Sequence, residues 1–411
     1  MCCAVGKGVR FDNMEEFVFK FLWIIVLLPK PVQLCCFGVI ATVMIRKCNG
    51  MCKINRDSVI FSFLLPNILF VIAIISSAIM RSHDIYRIFA AINTCLITFI
   101  AVMFYNIYLN VKINYEKISQ YMLINFLILC AIWVLYKVLG LQAASILGRT
   151  IGGEDLIYGI QTSRFLAYLE YANLVVYFII YTFSISIFYV YKHFNKALYL
   201  VYCLCPLWIV MATNSRTGFP IAVVISFVAI GVKFFDRIYS YYAKNRFLFL
   251  IVMMTLLVVL VILFRASIID ILIDALAKRE GSNNTRMTLY ILSIRKMLEE
   301  SPIIGCGIKD LWNNYPYGSH STFLGMFYKT GILGGVIFLC GMVVTTFNIF
   351  KMEIFTKEFF ILKMAYYCLI LLSILEDLDG TDWNIVLFMI FLAVFKKQSL
   401  RNDIELEGKS L

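Results

Sequence analysis

Apolar stretches of about 20 residues, the length needed to cross a bilayer as a helix, recur along most of this sequence. In hydrocarbon every backbone N–H and C=O must be paired internally, so such a chain folds as a bundle of helices. Closed barrels also cross bilayers, but their strands alternate apolar and polar residues over about ten positions, a pattern absent here. A hydrophobic fraction of 62% excludes an ordinary soluble domain. The expected fold class is an all-α polytopic membrane protein with about twelve spans, forming one integral membrane domain over residues 1–411.

We place the spans near 14–29, 32–47, 57–79, 86–110, 118–139, 167–190, 196–213, 217–235, 246–265, 320–350, 358–375 and 383–396. Pro29 and Pro31 divide the first two, because proline lacks a backbone donor; one kinked span is the competing reading. The last long helix is expected to break at Gly331, Gly334 or Gly335. Residues 1–13 do not read as a cleavable secretory signal, and Met14 is an alternative start.

The net charge of +12 would point to nucleic acid in a soluble protein. Here the basic residues alternate by loop. Arg46, Lys47, Lys112, Lys117, Lys192, Lys196, Lys351, Lys357, Lys396 and Lys397 all fall on one side. The positive-inside rule makes that side cytoplasmic, together with both termini and a tail at 397–411. Nucleic acid is therefore not an expected partner. The thirteen cysteines are scattered, and Cys48 and Cys52 lack the second ligand pair of a zinc site.

Residues 266–319 then form an extracytoplasmic loop, read as the only long non-membranous segment. Together with Arg265 it holds seven Lys and Arg residues. Two amphipathic helices are legible in it, at 267–278 and 285–300, both suited to the membrane interface.

Three residues at outer helix starts carry the candidate chemistry. Arg216, in Asn214-Ser215-Arg216-Thr217-Gly218, stands where free backbone N–H groups and the helix dipole favour an anion such as phosphate. The competing reading is an arginine snorkelling to lipid headgroups. Arg286, expected at the start of the second loop helix, opposes the dipole there and would gain from an anion; the alternative is an exposed loop arginine. His320, before the re-entering span, is expected to be held neutral by the dipole and so able to accept a proton; the alternative is a capping role. His83 and His193 read as solvated surface residues, and the acids of 376–382 as a solvated loop rather than a metal-binding pair.

The order of these motifs resembles the O-antigen polymerase and O-antigen ligase superfamily. The motifs are Ser-Arg-Thr-Gly at 215–218, a loop Arg at 286, Ser-Pro-Ile-Ile-Gly-Cys-Gly at 301–307, Gly-Ser-His-Ser at 318–321 and Lys-Thr-Gly-Ile-Leu-Gly-Gly at 329–335. The resemblance covers about 205–340, and family members often carry Asn where Ser321 stands.

The resemblance implies a metal-independent, inverting glycosyltransferase of the bacterial cytoplasmic membrane, with no cofactor. Its substrate would be an undecaprenyl-diphosphate-linked oligosaccharide, and it would work among membrane lipids beside a flippase and a chain-length regulator. Arg216 and Arg286 would hold the diphosphate, and His320 would act as base. The leading expectation is a polymerase of repeat units for capsule, exopolysaccharide or O-antigen. The alternatives are a ligase acting on lipid A core or protein, and a lipid-linked oligosaccharide flippase, which would instead show repeated halves and charges near the bilayer midplane.

Overall fold

The computed structural model describes residues 14–47, 55, 57–111, 113–157, 160–215, 217–234, 280–313, 315–352 and 356–407. The described chain is mostly helical. In order it runs α1 (Met14–Lys20), α2 (Leu22–Ile25), α3 (Lys30–Lys47), α4 (Ser58–Met80), α5 (Ile85–Asn110) and α6 (Tyr115–Val138). Strands β1 (Ser145–Ile146), β2 (Arg149–Thr150), β3 (Gly152–Ile157) and β4 (Ile160–Phe165) follow. Then come α7 (Ala172–His193), α8 (Lys196–Thr213), α9 (Gly218–Phe234) and α10 (Glu280–Glu300). The chain continues through β5 (Leu311–Trp312), β6 (Tyr315–Pro316), α11 (Thr322–Lys351), α12 (Lys357–Leu375) and α13 (Asp382–Glu407).

Six of the described helices, α4 to α8 and α11, are long and apolar enough to cross a membrane, and α9 and α12 are shorter apolar helices. The expected first span is broken twice, at Phe21 and again before α3, so α1 and α2 together are two short pieces. The expected span at 246–265 and the helix at 267–278 lie outside the described residues.

Helix starts follow the sequence closely where a side chain can cap them. Asp57, Asn114, Asn195 and Ser321 each accept a backbone N–H from the first turn that follows. Of the six long apolar helices α7 is the most enclosed, with 83% of its most apolar window buried, and residues 382–395 of α13 are buried throughout, so these two helices run through the middle of the bundle. α6 packs on α7, α13 on α5, and α11 on α4.

The expected loop at 266–319, described at 280–313 and 315–319, is not the only long stretch outside the apolar helices. Between α6 and α7 the chain folds back as two antiparallel hairpins, β1 with β2 and β3 with β4. Arg149 ties this region to the end of α2 by donating to Val26 O at 2.5 Å and to Leu28 O at 3.2 Å. Arg164 donates to Thr213 O at 3.1 Å, which holds β4 against the end of α8.

Of the three glycines at which α11 was expected to break, the kink is at Gly331, with φ 65° and ψ −168°. A Cβ there would lie 2.3 Å from Ile303 O, so only glycine fits both the backbone and the space. The kink interrupts the helical ladder and leaves backbone groups to be paired elsewhere. Residues 302–307 pair them: Ile332 N donates to Pro302 O at 2.8 Å and Leu333 N to Ile303 O at 3.2 Å. In return Cys306 N donates to Tyr328 O at 2.8 Å and Gly307 N to Lys329 O at 3.1 Å. Two of the motifs singled out in the sequence are thus the two sides of one backbone seam.

Candidate functional site

α10 begins at Glu280, so Arg286 lies in its second turn rather than at its start. Contrary to the expectation from the sequence, Arg286 therefore does not oppose the dipole of the first turn. The arginine faces a side-chain anion instead: Nη2 is 3.0 Å from Glu376 Oε1. Glu376 directly follows the last residue of α12, and its side chain is only 3% exposed. A carboxylate so enclosed needs charged or hydrogen-bonding partners. Asn173, near the start of α7, provides a second donor to Oε1 at 2.5 Å.

His320 approaches the other oxygen, with Nδ1 3.8 Å from Glu376 Oε2. α11 starts at Thr322 with Ser321 as its cap, so His320 precedes the cap and is outside the first turn. The expected hold of the helix dipole on its ring is therefore absent, and the ring faces the Glu376 carboxylate instead. The residue is held in the left-handed region, φ 65°, and Tyr290 on α10 donates to its carbonyl oxygen at 2.7 Å. Its side chain is 30% exposed, leaving the ring open on one side.

The hydrogen-bond chain extends from Glu376 to the third motif. Ser215 Oγ donates to Asn173 Oδ1 at 2.5 Å and accepts from Gly218 N at 3.0 Å, closing the first turn of α9. The start of α9, α10 and the segment before α11 therefore meet at one buried carboxylate. Arg216 itself lies outside the described residues.

The acidic loop after α12 is not solvated. Thr322 Oγ1 donates to Glu376 O at 2.9 Å and accepts from Leu378 N at 2.7 Å, tucking the loop under the start of α11. Asp377 accepts from Ser321 N at 3.1 Å and lies 3.6 Å from Lys309 Nζ. Asp379 pairs with Lys329, both nearly fully buried. Burial lifts the Asp377 carboxyl above the ordinary range, with the charge of Asp379 adding to the rise against the pull of Lys309. Burial pushes Asp379 the same way, but the ammonium groups of Lys329 and Lys309 win and hold it below that range. As a metal-binding pair these two carboxylates would compete with ammonium partners already in place. Among the described residues no group of three or more His, Cys, Asp and Glu side chains could hold a metal ion.

His83 is also not a solvated surface residue, since its side chain is 3% exposed. Nδ1 faces Asp310 Oδ1 at 3.0 Å and Nε2 faces Ser77 Oγ at 2.9 Å. Lys296 donates to Asp310 Oδ2 at 2.6 Å, so this cluster fastens α10 and the 308–310 stretch to the end of α4.

The sequence reading missed Glu376, Asn173 and the lysine–aspartate pairs. Glu376 carried one usable signal, an acid placed immediately at the end of an apolar run. Asn173 carried another, an amide within an otherwise apolar helix start.

Residues 201–339 match the family model described as O-antigen ligase. The matched segment holds Ser215, Arg286, His320 and both sides of the backbone seam, while Asn173 and Glu376 fall outside it. No curated protein matches the chain.

Proposed function

We propose that this chain, which its 201–339 segment puts in the O-antigen polymerase and ligase superfamily, polymerises undecaprenyl-diphosphate-linked oligosaccharide repeat units. The observation that carries the reading is the pair of partners on Glu376: Arg286 on Oε1 and His320 beside Oε2. A cation for a diphosphate and a base for a hydroxyl are thereby held on one carboxylate, next to the Ser215 turn that precedes Arg216.

In the proposed reaction Arg216 and Arg286 hold the diphosphate of the donor lipid. Glu376 takes one edge of the Arg286 guanidinium and leaves its other N–H donors for phosphate oxygens. The acceptor hydroxyl oxygen attacks the donor's anomeric carbon from the face opposite the diphosphate. The new C–O bond forms as the C–O bond to phosphate breaks, and lipid diphosphate leaves with that electron pair. His320 takes the hydroxyl proton at Nε2, because Nδ1 faces Glu376. No metal is required in this scheme: the arginines supply the charge, and Asp377 and Asp379 each have a lysine partner.

The enzyme acts in the bacterial cytoplasmic membrane with both termini inside and 266–319 outside. A second reading, transfer of the glycan to lipid A core or protein, is favoured by the description of the matched family as ligase. A flippase is disfavoured, since the candidate site groups its charges around one end of the bundle rather than in repeated halves.

The test uses purified full-length protein and lipid-linked repeat units. Ladders of lengthening chains from repeat units alone support the polymerase; product only when lipid A core is added supports the ligase. His320→Ala and His320→Asn should each lose roughly a hundred- to ten-thousandfold in rate, the range of a positioned base. Near wild-type activity in His320→Asn would remove the histidine from the chemistry.

A further inference from the structure

β5 and β6 form a short hairpin immediately before His320, with Trp312 opposite Tyr315 and Leu311 opposite Pro316. Directly opposed residues of an antiparallel pair share a face, so the Trp312 and Tyr315 side chains leave the ribbon on the same side. That face is turned toward the candidate base: the Tyr315 and His320 ring centroids are 6.2 Å apart. Tyr315 is 44% exposed and Trp312 is half-buried.

The hairpin is held from beneath. Tyr317 N donates to Asp310 O at 3.0 Å, and Asp310 is itself fixed by Lys296 and His83. Tyr317 stacks on Tyr328 at 5.9 Å and 10°, with Lys296 Nζ 4.8 Å from its ring centre. Two charged groups, a histidine and a ring stack thus immobilise a ribbon of four strand residues whose aromatic face is left open. Ordering a large side chain costs little when its support is already rigid.

We propose that Trp312 and Tyr315 form the platform that receives the acceptor sugar, a reading that rests on the glycosyl transfer proposed above. A pyranose has an apolar C–H face and a rim of hydroxyls. A flat ring with a polar tip matches both, burying the C–H face while the rim keeps its hydrogen bonds. A sugar stacked about 4 Å above Tyr315, at van der Waals distance, brings its rim to the His320 ring. The base serves the acceptor hydroxyl, so the acceptor rather than the donor sugar occupies this face.

The test titrates one delipidated oligosaccharide, released from the lipid-linked repeat units by mild acid, as acceptor at saturating lipid-linked donor. Tyr315→Ala and Trp312→Ala should each raise the acceptor KM roughly tenfold, as expected for losing an aromatic anchor. Donor KM and kcat at saturating acceptor should stay within about twofold of wild type. Tyr315→Phe should behave as wild type, because the ring and not the hydroxyl carries the contact. An unchanged acceptor KM in active Tyr315→Ala, or a rise confined to the donor KM, overturns the platform. If the wild type itself transfers nothing, the proposed function fails first, and saturation-transfer NMR with the same oligosaccharide still decides. Signal on wild-type protein that disappears in Tyr315→Ala supports the platform, and equal signal or none on either protein overturns it.

Discussion

Asn173 donates from its amide nitrogen to the Glu376 carboxylate at 2.5 Å, across 203 residues of sequence. The same amide accepts from Ser215 through its oxygen, so it is a two-sided connector in a buried site. Replacing it with leucine removes a hydrogen bond to a charged group and strands Ser215. A loss of about 1.5–3 kcal/mol is expected, or roughly ten- to a hundredfold in transfer rate. Asn173→Asp should do worse, since it sets a second negative charge against Glu376. Rates near wild type in both variants, measured at matched amounts of folded protein, would show that Glu376 needs no such connector.

Arg286 and Arg216 are expected to act together on the donor diphosphate. Each alanine variant should shorten or abolish polymer at normal protein levels. Arg→Lys should restore only part of it, since a planar fork of donors becomes a point charge. The informative quantity is donor KM beside kcat. A full-length polymer ladder from both alanine variants would sink the assignment.

The two acidic residues that flank Leu378 should respond to pH with opposite signs. Asp379 has a folded-state carboxyl below the ordinary range, so its contribution is present above pH about 4 and is lost as pH falls through the lower folded value. Asp377 is raised, so its contribution is present below pH about 4 and is lost as pH rises through the higher folded value. At neutral pH Asp379→Asn should therefore lower the unfolding temperature, leaving Lys329 buried without its counter-charge at a cost of about 3–5 kcal/mol. Asp377→Asn keeps an acceptor for Ser321 N and should leave the temperature unchanged or raise it. Equal shifts in the same direction for the two variants, followed in detergent from pH 4 to 8, would refute this division.

The orientation has its own check. Single cysteines placed at 282 and 309 should react with a membrane-impermeant maleimide in intact cells or spheroplasts, and one at 240 should not. Labelling at 240 without labelling at 282 would invert the protein and move the site to the cytoplasmic face.

Much of the frame was legible in the sequence because its causes are local. Apolar length located α4, α5, α8 and α12 to within a residue of the expected spans. Motif order marked the segments around Ser215, Arg286 and His320, which the structure brings to one carboxylate. What was not legible depended on partners far away in the chain. Glu376 looked like one of several loop acids until Arg286, 90 residues earlier, was seen against it. His83 looked solvated because nothing nearby announces Asp310, 227 residues later. The hairpins between α6 and α7 were missed because two- and six-residue strands rich in polar residues give no period for a reader to follow.

The seam between 302–307 and the Gly331 kink is made of four backbone hydrogen bonds, running in both directions. Bonds of this kind read register and not side-chain identity. Substitutions at Ile303 or Ile304 should drift freely, whereas a one-residue insertion on either side would slip all four bonds at once. The stretch from 308 to 321 crosses no such seam and is held instead through side chains, by Lys296 and His83 on Asp310 and by Ser293 on Gly318 N. Exchanging the segment between α9 and α11 with that of a relative therefore has a natural cut: the donor segment must carry its own kink, or stop short of the seam on both sides.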